Sequence, residues 1–367
     1  MVAEEIGARR FGANEKDADR MRVRRVELRR VTMIVALALL MMALMSYSIT
    51  IGSTTITPLQ VYEVLLNQIV PGLFDIPFKT EQIVLQVYAP RVLMATFVGA
   101  ILAIGGCLVQ TVMKNPLATP YTLGVSSSAA FGASLSIIVG LSAAVGTVGT
   151  MLNAFLFSLI PAGIILTASI RRNMMPSTLI LVGVSISYIF SAANTIMQYF
   201  GSADAVKSAM FWSVGDLNNA SIWQVPYVLI MLAVISAVSA WLVKDINILR
   251  MGDDTALSLG VSVRSVRLVS ILIACFATAV VVSFTGAIGF VCLLAPHISR
   301  IVVGNDLKYL FPASAIMGAL LLSQGSHQSD NVAGWRDHGP DRRSDIDLPA
   351  LDEEGRYCHM RGGATPA

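Results

Sequence analysis

The chain has 367 residues, 55% of them apolar and 13% charged, with a net charge of +3 at pH 7. A soluble domain carries about 25% charged residues, and a mean hydropathy of +0.69 leaves too little polarity to cover a solvated surface, which excludes a water-soluble enzyme. A net charge this small, with its basic residues at loop ends and not along one face, excludes a nucleic-acid binder.

Charge placement divides the chain. Of its 49 charged residues, 15 lie in residues 1–30 and 13 in residues 324–367, so the 293 residues between hold only 21. That middle belongs in a bilayer. The expected fold class is all-α, a polytopic transmembrane helical bundle over residues 31–322, with a basic segment at 1–30 before it and a polar tail at 323–367 after it.

In chain order, Arg20, Arg22, Arg24, Arg25, Arg29 and Arg30 precede a first apolar run, Val31–Ile51. At roughly 20 residues it exceeds the core of a signal peptide, about 7 to 15, and no small-x-small cleavage site follows, so it is read as a retained span. Further runs of spanning length lie at 92–113, 122–142, 150–169, 177–200, 224–243, 268–286 and 287–303. A ninth, at 309–322, is too short to cross unless residues beyond Leu322 complete it. With the N-terminus in the cytoplasm, Lys114, Arg171, Arg172, the charged loop 244–267, Arg300 and Lys308 fall on that same side, so one orientation satisfies the positive-inside rule. Small residues at helical spacing, as in Gly99, Ala103 and Gly106 or Gly140, Gly146 and Gly149, predict close helix packing.

Catalytic devices are missing from the sequence. None of the six lysines follows a glycine as a nucleotide-binding P-loop requires, H-E-x-x-H is absent, and Gly183–Ser187 lacks the second glycine of a nucleophile elbow. Cys107, Cys275, Cys292 and Cys358 show no C-x-x-C spacing, and the first three lie in apolar runs, which argues against a metal site or disulfide frame. His297, alone at the end of a span, reads as a structural hydrogen-bonding group. The spans hold almost no ionisable residues, which weakens an ion-coupled secondary carrier, and a membrane-embedded enzyme has no constellation to work with.

Three segments carry more than packing needs. The first runs from Pro90 and Arg91 through Gln110 to Asn115, Pro116, Leu117, Pro120 and Gly124; its prolines end a helix near Lys114 and impose ordered, non-helical chain before the next span. The second, from Arg250 through Gly252, Asp253, Asp254, Ala256 and Leu259 to Gly260, predicts a short helix capped by Asp253 or Asp254. Ala256 and Leu259 would form its apolar face, and Gly260 would end it in a left-handed turn. A capped amphipathic helix on a cytoplasmic loop suits docking into a partner's groove. The third holds Gly289, Phe290, Pro296, His297 and Arg300.

In this order the three segments, over about Val31 to Leu322, resemble the membrane-spanning permease subunit of the iron-chelate and cobalamin ABC importers, the type II importer family. The resemblance implies ten-helix subunits paired as two copies or with a paralogue, in the cytoplasmic membrane of a prokaryote. It also implies two cytoplasmic ATPase subunits that hold ATP and Mg, and an extracytoplasmic substrate-binding protein. The cargo would be a ferric siderophore, haem or cobalamin, moved by alternating access. The chain itself would hold no catalytic, cofactor-binding or metal-binding residue. The loop matching Arg250–Val263 would form the coupling helix, and the residues of the other two segments would be structural or gating. An arginine commonly stands in that family at Tyr88, and glycine at Ser128 and Cys292. From Ser323 the family's remaining ninth span, Pro-x-Gly turn and tenth span do not appear, so the tail reads as shifted-frame or disordered sequence and transport is expected to be poor.

Overall fold

The computed structural model describes residues 2–50, 57–70, 72–142, 144–171, 175–217 and 220–337. A 49-residue helix, α1 (Val2–Thr50), joins the basic segment to the first apolar run without a break. After it, α2 (Pro58–Ile69) opens on a capping box between Thr57 and Gln60. The helix α3 (Phe78–Ile83), a π-helical turn at Val84–Tyr88 and α4 (Ala89–Val112) run on as 35 helical residues. The wide turn accommodates Pro90, which has no N–H to give and whose ring crowds the carbonyl four residues earlier; Ala89 N–H bonds instead to Val84 O.

The remaining helices are α5 (Val125–Val139), α6 (Gly146–Arg171), α7 (Pro176–Phe200), α8 (Ala203–Val214), α9 (Val225–Leu249), α10 (Asp253–Ser258), α11 (Val263–Thr285), α12 (Phe290–Val303) and α13 (Leu307–Asp337). Among the described residues six helices are long and apolar enough to cross a membrane: α1, the run ending in α4, α6, α7, α9 and α11. Two expected crossings come out shorter. With 15 and 14 residues, α5 and α12 extend only about 21 to 23 Å, against a hydrocarbon core of about 30 Å. The rest of runs 122–142 and 287–303 is non-helical chain. Such backbone is tolerated at membrane depth only where protein covers it, and Ala118, Thr119, Pro120, Leu123 and Gly124 are buried.

At the centre stands α4, 89% buried over its most apolar stretch, against 17% for α7. Helices α9, α11, α12 and α13 pack round it. Two close crossings set the geometry. A Cβ on Gly99 would sit 2.6 Å from the carbonyl carbon of Gly318 in α13, and one on Gly106 would sit 2.7 Å from that of Cys292 in α12. Gly140 and Gly146 do something else: both have positive φ with open space where a Cβ would go, so they turn the chain between α5 and α6 and do not pack helices together. Ser128 is fully buried, with its hydroxyl turned back onto Gly124 O. The helix α13 continues through residue 337, so the expected tail boundary at 323 is not a helix end; residues 338–367 lie outside the described residues.

Candidate functional site

The three segments meet at one end of α4. Pro296 lacks an N–H, so the carbonyl four residues before it, Cys292 O, has no helical donor. Gln110, 2% exposed, fills the gap: its Nε2 donates to Cys292 O and Leu293 O, each at 3.4 Å. Arg300 Nη1 donates to Gln110 Oε1 at 2.6 Å. Gly106, one turn earlier on the same face of α4, lets the two backbones come this close. Gly106, Gln110, Pro296 and Arg300 therefore make one joint between α4 and α12.

Beyond α4 the chain is ordered by its own side chains. Asn115 N–H donates to Gln110 O at 3.1 Å, and Asn115 Oδ1 accepts from Leu117 N–H at 2.9 Å. Thr119 and Thr122 exchange amide-to-hydroxyl bonds at 3.0 and 3.3 Å. Pro120 is buried, while Pro116 and Leu117 are exposed. Gly124, with φ +96, starts α5. Gly183 is a packing residue here, since a Cβ on it would lie 2.6 Å from Leu123 Cα. Gly289 faces the Tyr121 ring, whose hydroxyl accepts from Ile288 N–H at 3.1 Å. Phe290 and His297 are exposed on α12.

The loop at 250–260 forms the expected short helix, α10, with a different cap and face. Gly252, φ +141, is the N-cap, and no side chain caps the helix. Asp253 is engaged elsewhere: Lys114 Nζ donates to its Oδ1 at 2.7 Å and Arg267 Nη2 to its Oδ2 at 2.9 Å. Burial pushes the Asp253 carboxyl up, but the hydrogen bonds and charges of Lys114 and Arg267 outweigh it and hold the group below its ordinary value. Asp254 is exposed in the first turn, where it favours the helix dipole. Ala256 is fully buried while Leu259 is exposed, so they do not share a face; the exposed apolar side chains are Met251, Leu257 and Leu259. Gly260, φ +81, ends the helix in the left-handed turn expected.

A second cluster gathers at the same end. Asn247 Nδ2 donates to Asp306 Oδ1 at 3.1 Å, Arg30 lies 3.7 Å from Asp306 Oδ2, and Arg250 donates to Asn305 O. Pro90 and Arg91 are not part of this site. They open α4, whereas Gln110 lies about 30 Å along it. Tyr88 is buried beside Val61, Val64 and Val84 in a small core at that far end.

Sequence reasoning missed Arg267, Asn247, Asp306 and Tyr121 as organisers. Arg267 left a trace, a cation one turn into an apolar helix and close in sequence to Asp253; Tyr121 left none.

The chain that builds this joint has known relatives. A family model described as the FecCD transport family matches residues 39–333. The chain belongs to the FecCD transport family. An ABC transporter permease protein of Methanocaldococcus jannaschii is 36% identical over 289 residues, 75% of this chain and 80% of that one. The cobalamin import system permease protein BtuC of Halobacterium salinarum is 35% identical over 69% of this chain and 68% of its own. The hemin transport system permease protein HmuU of Yersinia pestis is 34% identical over 65% and 72%. Among solved structures, an inward-facing conformation of a metal-chelate type ABC transporter superposes with a TM-score of 0.71 at 26% identity, covering 82% of this chain and 91% of that one. The chain is thus a multi-pass permease subunit of an ABC transporter. The match runs past Leu322, into residues that composition alone assigned to the tail.

Proposed function

We propose that this permease imports a metal chelate of the ferric siderophore, haem or cobalamin kind by alternating access. Its partners are a second copy or paralogue, two ATPase subunits that carry ATP and Mg, and a substrate-binding protein on the opposite side. The basic end of the bundle is cytoplasmic, in a prokaryotic plasma membrane, and α10 is the element that seats in the ATPase. The observation carrying this reading is the exposed apolar set Met251, Leu257 and Leu259 on and beside a helix anchored from behind by Ala256 and Asp253. Lipid cannot cover side chains that stand among this many charges, and a groove on a protein can. The cargo class rests on the cobalamin and hemin permeases to which the chain is similar. Gln110, Arg300 and the residues from Asn115 to Gly124 serve as structural and gating parts.

The test is co-purification. Changing Leu257→Asp and Leu259→Asp together removes the ATPase from tagged permease, and retention equal to the parent overturns the assignment. Uptake of radio-iron chelates, haem or labelled cobalamin by cells lacking their own permeases then identifies the cargo. Uptake that persists without the ATPase points to a secondary carrier instead.

A further inference from the structure

We propose that Lys114 and Arg267 are positioning residues that lock α10 to the C-terminus of α4, so that α10 and α12 move as one body when the ATPase displaces α10. This rests on α10 being the ATPase-docking element.

On its own α10 is poorly held. It has six residues and a single buried side chain, Ala256, and a helix of fewer than two turns does not sustain itself. Its firm attachment is Asp253, and each carboxylate oxygen takes a different cation from a different element. Arg267, in the first turns of α11, uses its planar fork twice: Nη2 reaches Asp253, and Nε donates to Val112 O at 3.2 Å. Val112 is the last residue of α4, so the guanidinium satisfies a terminal carbonyl and complements the helix dipole while it holds the carboxylate. Only 11% of the Arg267 side chain is exposed, which limits screening by salt. A lysine ammonium lacks the planar fork that presents these two donors to acceptors on different elements.

Lys114 reaches Asp253 from the other side, from the left-handed position that follows the C-cap of α4. At φ +52 it is the sole non-glycine residue with positive φ among the described residues, a conformation that persists where surroundings over-determine it. The link then continues inward. Two residues before Val112, Gln110 bonds to Cys292 O and accepts from Arg300, both in α12. Asp253, Arg267, the end of α4, Gln110 and α12 thus form a contiguous chain of bonds between α10 and α12.

Spin labels at Thr255→Cys in α10 and Ile301→Cys in α12, with Thr255→Cys and Met175→Cys at the start of α7 as a reference pair, report the movement by pulsed electron resonance. Labelling is done with Cys358→Ser in the reconstituted complex; Cys107, Cys275 and Cys292 are buried. On trapping the ATPase as its ADP–vanadate complex after ATP addition, the reference distance shifts and the Thr255–Ile301 distance does not. In Lys114→Met/Arg267→Gln the Thr255–Ile301 distribution becomes about twofold broader and shifts with ATP. A parent distance that changes on ATP trapping, or a variant as narrow and fixed as the parent, overturns the inference. So does restoration of the parent distribution by Arg267→Lys. Lys114→Met alone, which leaves the bond between α11 and α4 in place, is expected to broaden the distribution in the same direction if the double variant does not fold. Parent permease that retains no ATPase sinks the docking assignment instead, so the two failures are separable.

Discussion

Gly105 and Gly106 are neighbours in α4 with opposite tolerances. A Cβ on Gly105 would meet Thr278 Oγ1 at 3.7 Å, an ordinary contact, whereas one on Gly106 would overlap the Cys292 carbonyl. Gly105→Ala is therefore expected to hold or raise the melting midpoint, with a helix-propensity gain of up to about 1 kcal/mol. Gly106→Ala should cost about 1 to 3 kcal/mol by overpacking; equal midpoints for the two variants in detergent would refute the crossing. Helical spacing pointed to Gly106 and Gly99 as packing residues, but it pointed equally to Gly140 and Gly146. Spacing carries no information about φ, and these two are turn residues. Lys114 offers a sharper comparison: Lys114→Gly and Lys114→Ala lose the same ammonium, yet only glycine tolerates φ +52 without penalty, so the glycine variant should be the more stable by about 1 kcal/mol. Asp253 sets a pH dependence. Its carboxyl is depressed in the fold, so the stability it contributes is present above the ordinary carboxylate range and lost as pH falls through the lower, folded value. Melting midpoints of the parent should show no loss from this group between neutral pH and about 5, then an acid limb that Asp253→Asn lacks.

Among elements, the long spans were legible from apolar length, because a helix in lipid needs about 20 residues that tolerate hydrocarbon. The half-length helices α5 and α12 were not. Hydropathy counts side chains and says nothing of backbone conformation, so the non-helical residues 122–124 and 286–289 were counted into the apolar runs beside them. The helix α8 lies between two expected spans, at 203–214, where no apolar run of spanning length pointed to it. For α10, existence and ending were legible and the inward face was not: a three-residue spacing pairs Ala256 with Leu259, but the chain enters through Gly252 at an angle that buries only Ala256. This has a measurable outcome. Leu257→Asp and Leu259→Asp should each leave the melting free energy within about 0.5 kcal/mol of the parent. Ala256→Asp buries a carboxylate with no partner and should cost about 3 kcal/mol or more, so loss of ATPase binding in that variant would report misfolding and not docking.

Taken as a whole, the bundle is polarised. Arg30, Lys114, Arg250, Arg267 and Lys308 gather at one end round Asp253 and Asp306, and Phe78 and Tyr199 stand exposed towards the other. A membrane-impermeant thiol reagent should therefore label Met251→Cys only in inside-out vesicles and Tyr199→Cys only in right-side-out ones; the reverse pattern would invert the orientation assigned to the permease. The burial of α4 has a further consequence, for biosynthesis. Every helix that sheathes α4 leaves the ribosome long after it, and the arginine that donates to Gln110 is 190 residues downstream. At about 5 to 20 residues per second the wait is roughly 10 to 40 s. Through that interval α4 must rest in lipid or against the insertion machinery, its glycine face open and its one deep amide unmet by Arg300. The most central helix of the finished permease is thus among the first to be made and the last to be enclosed.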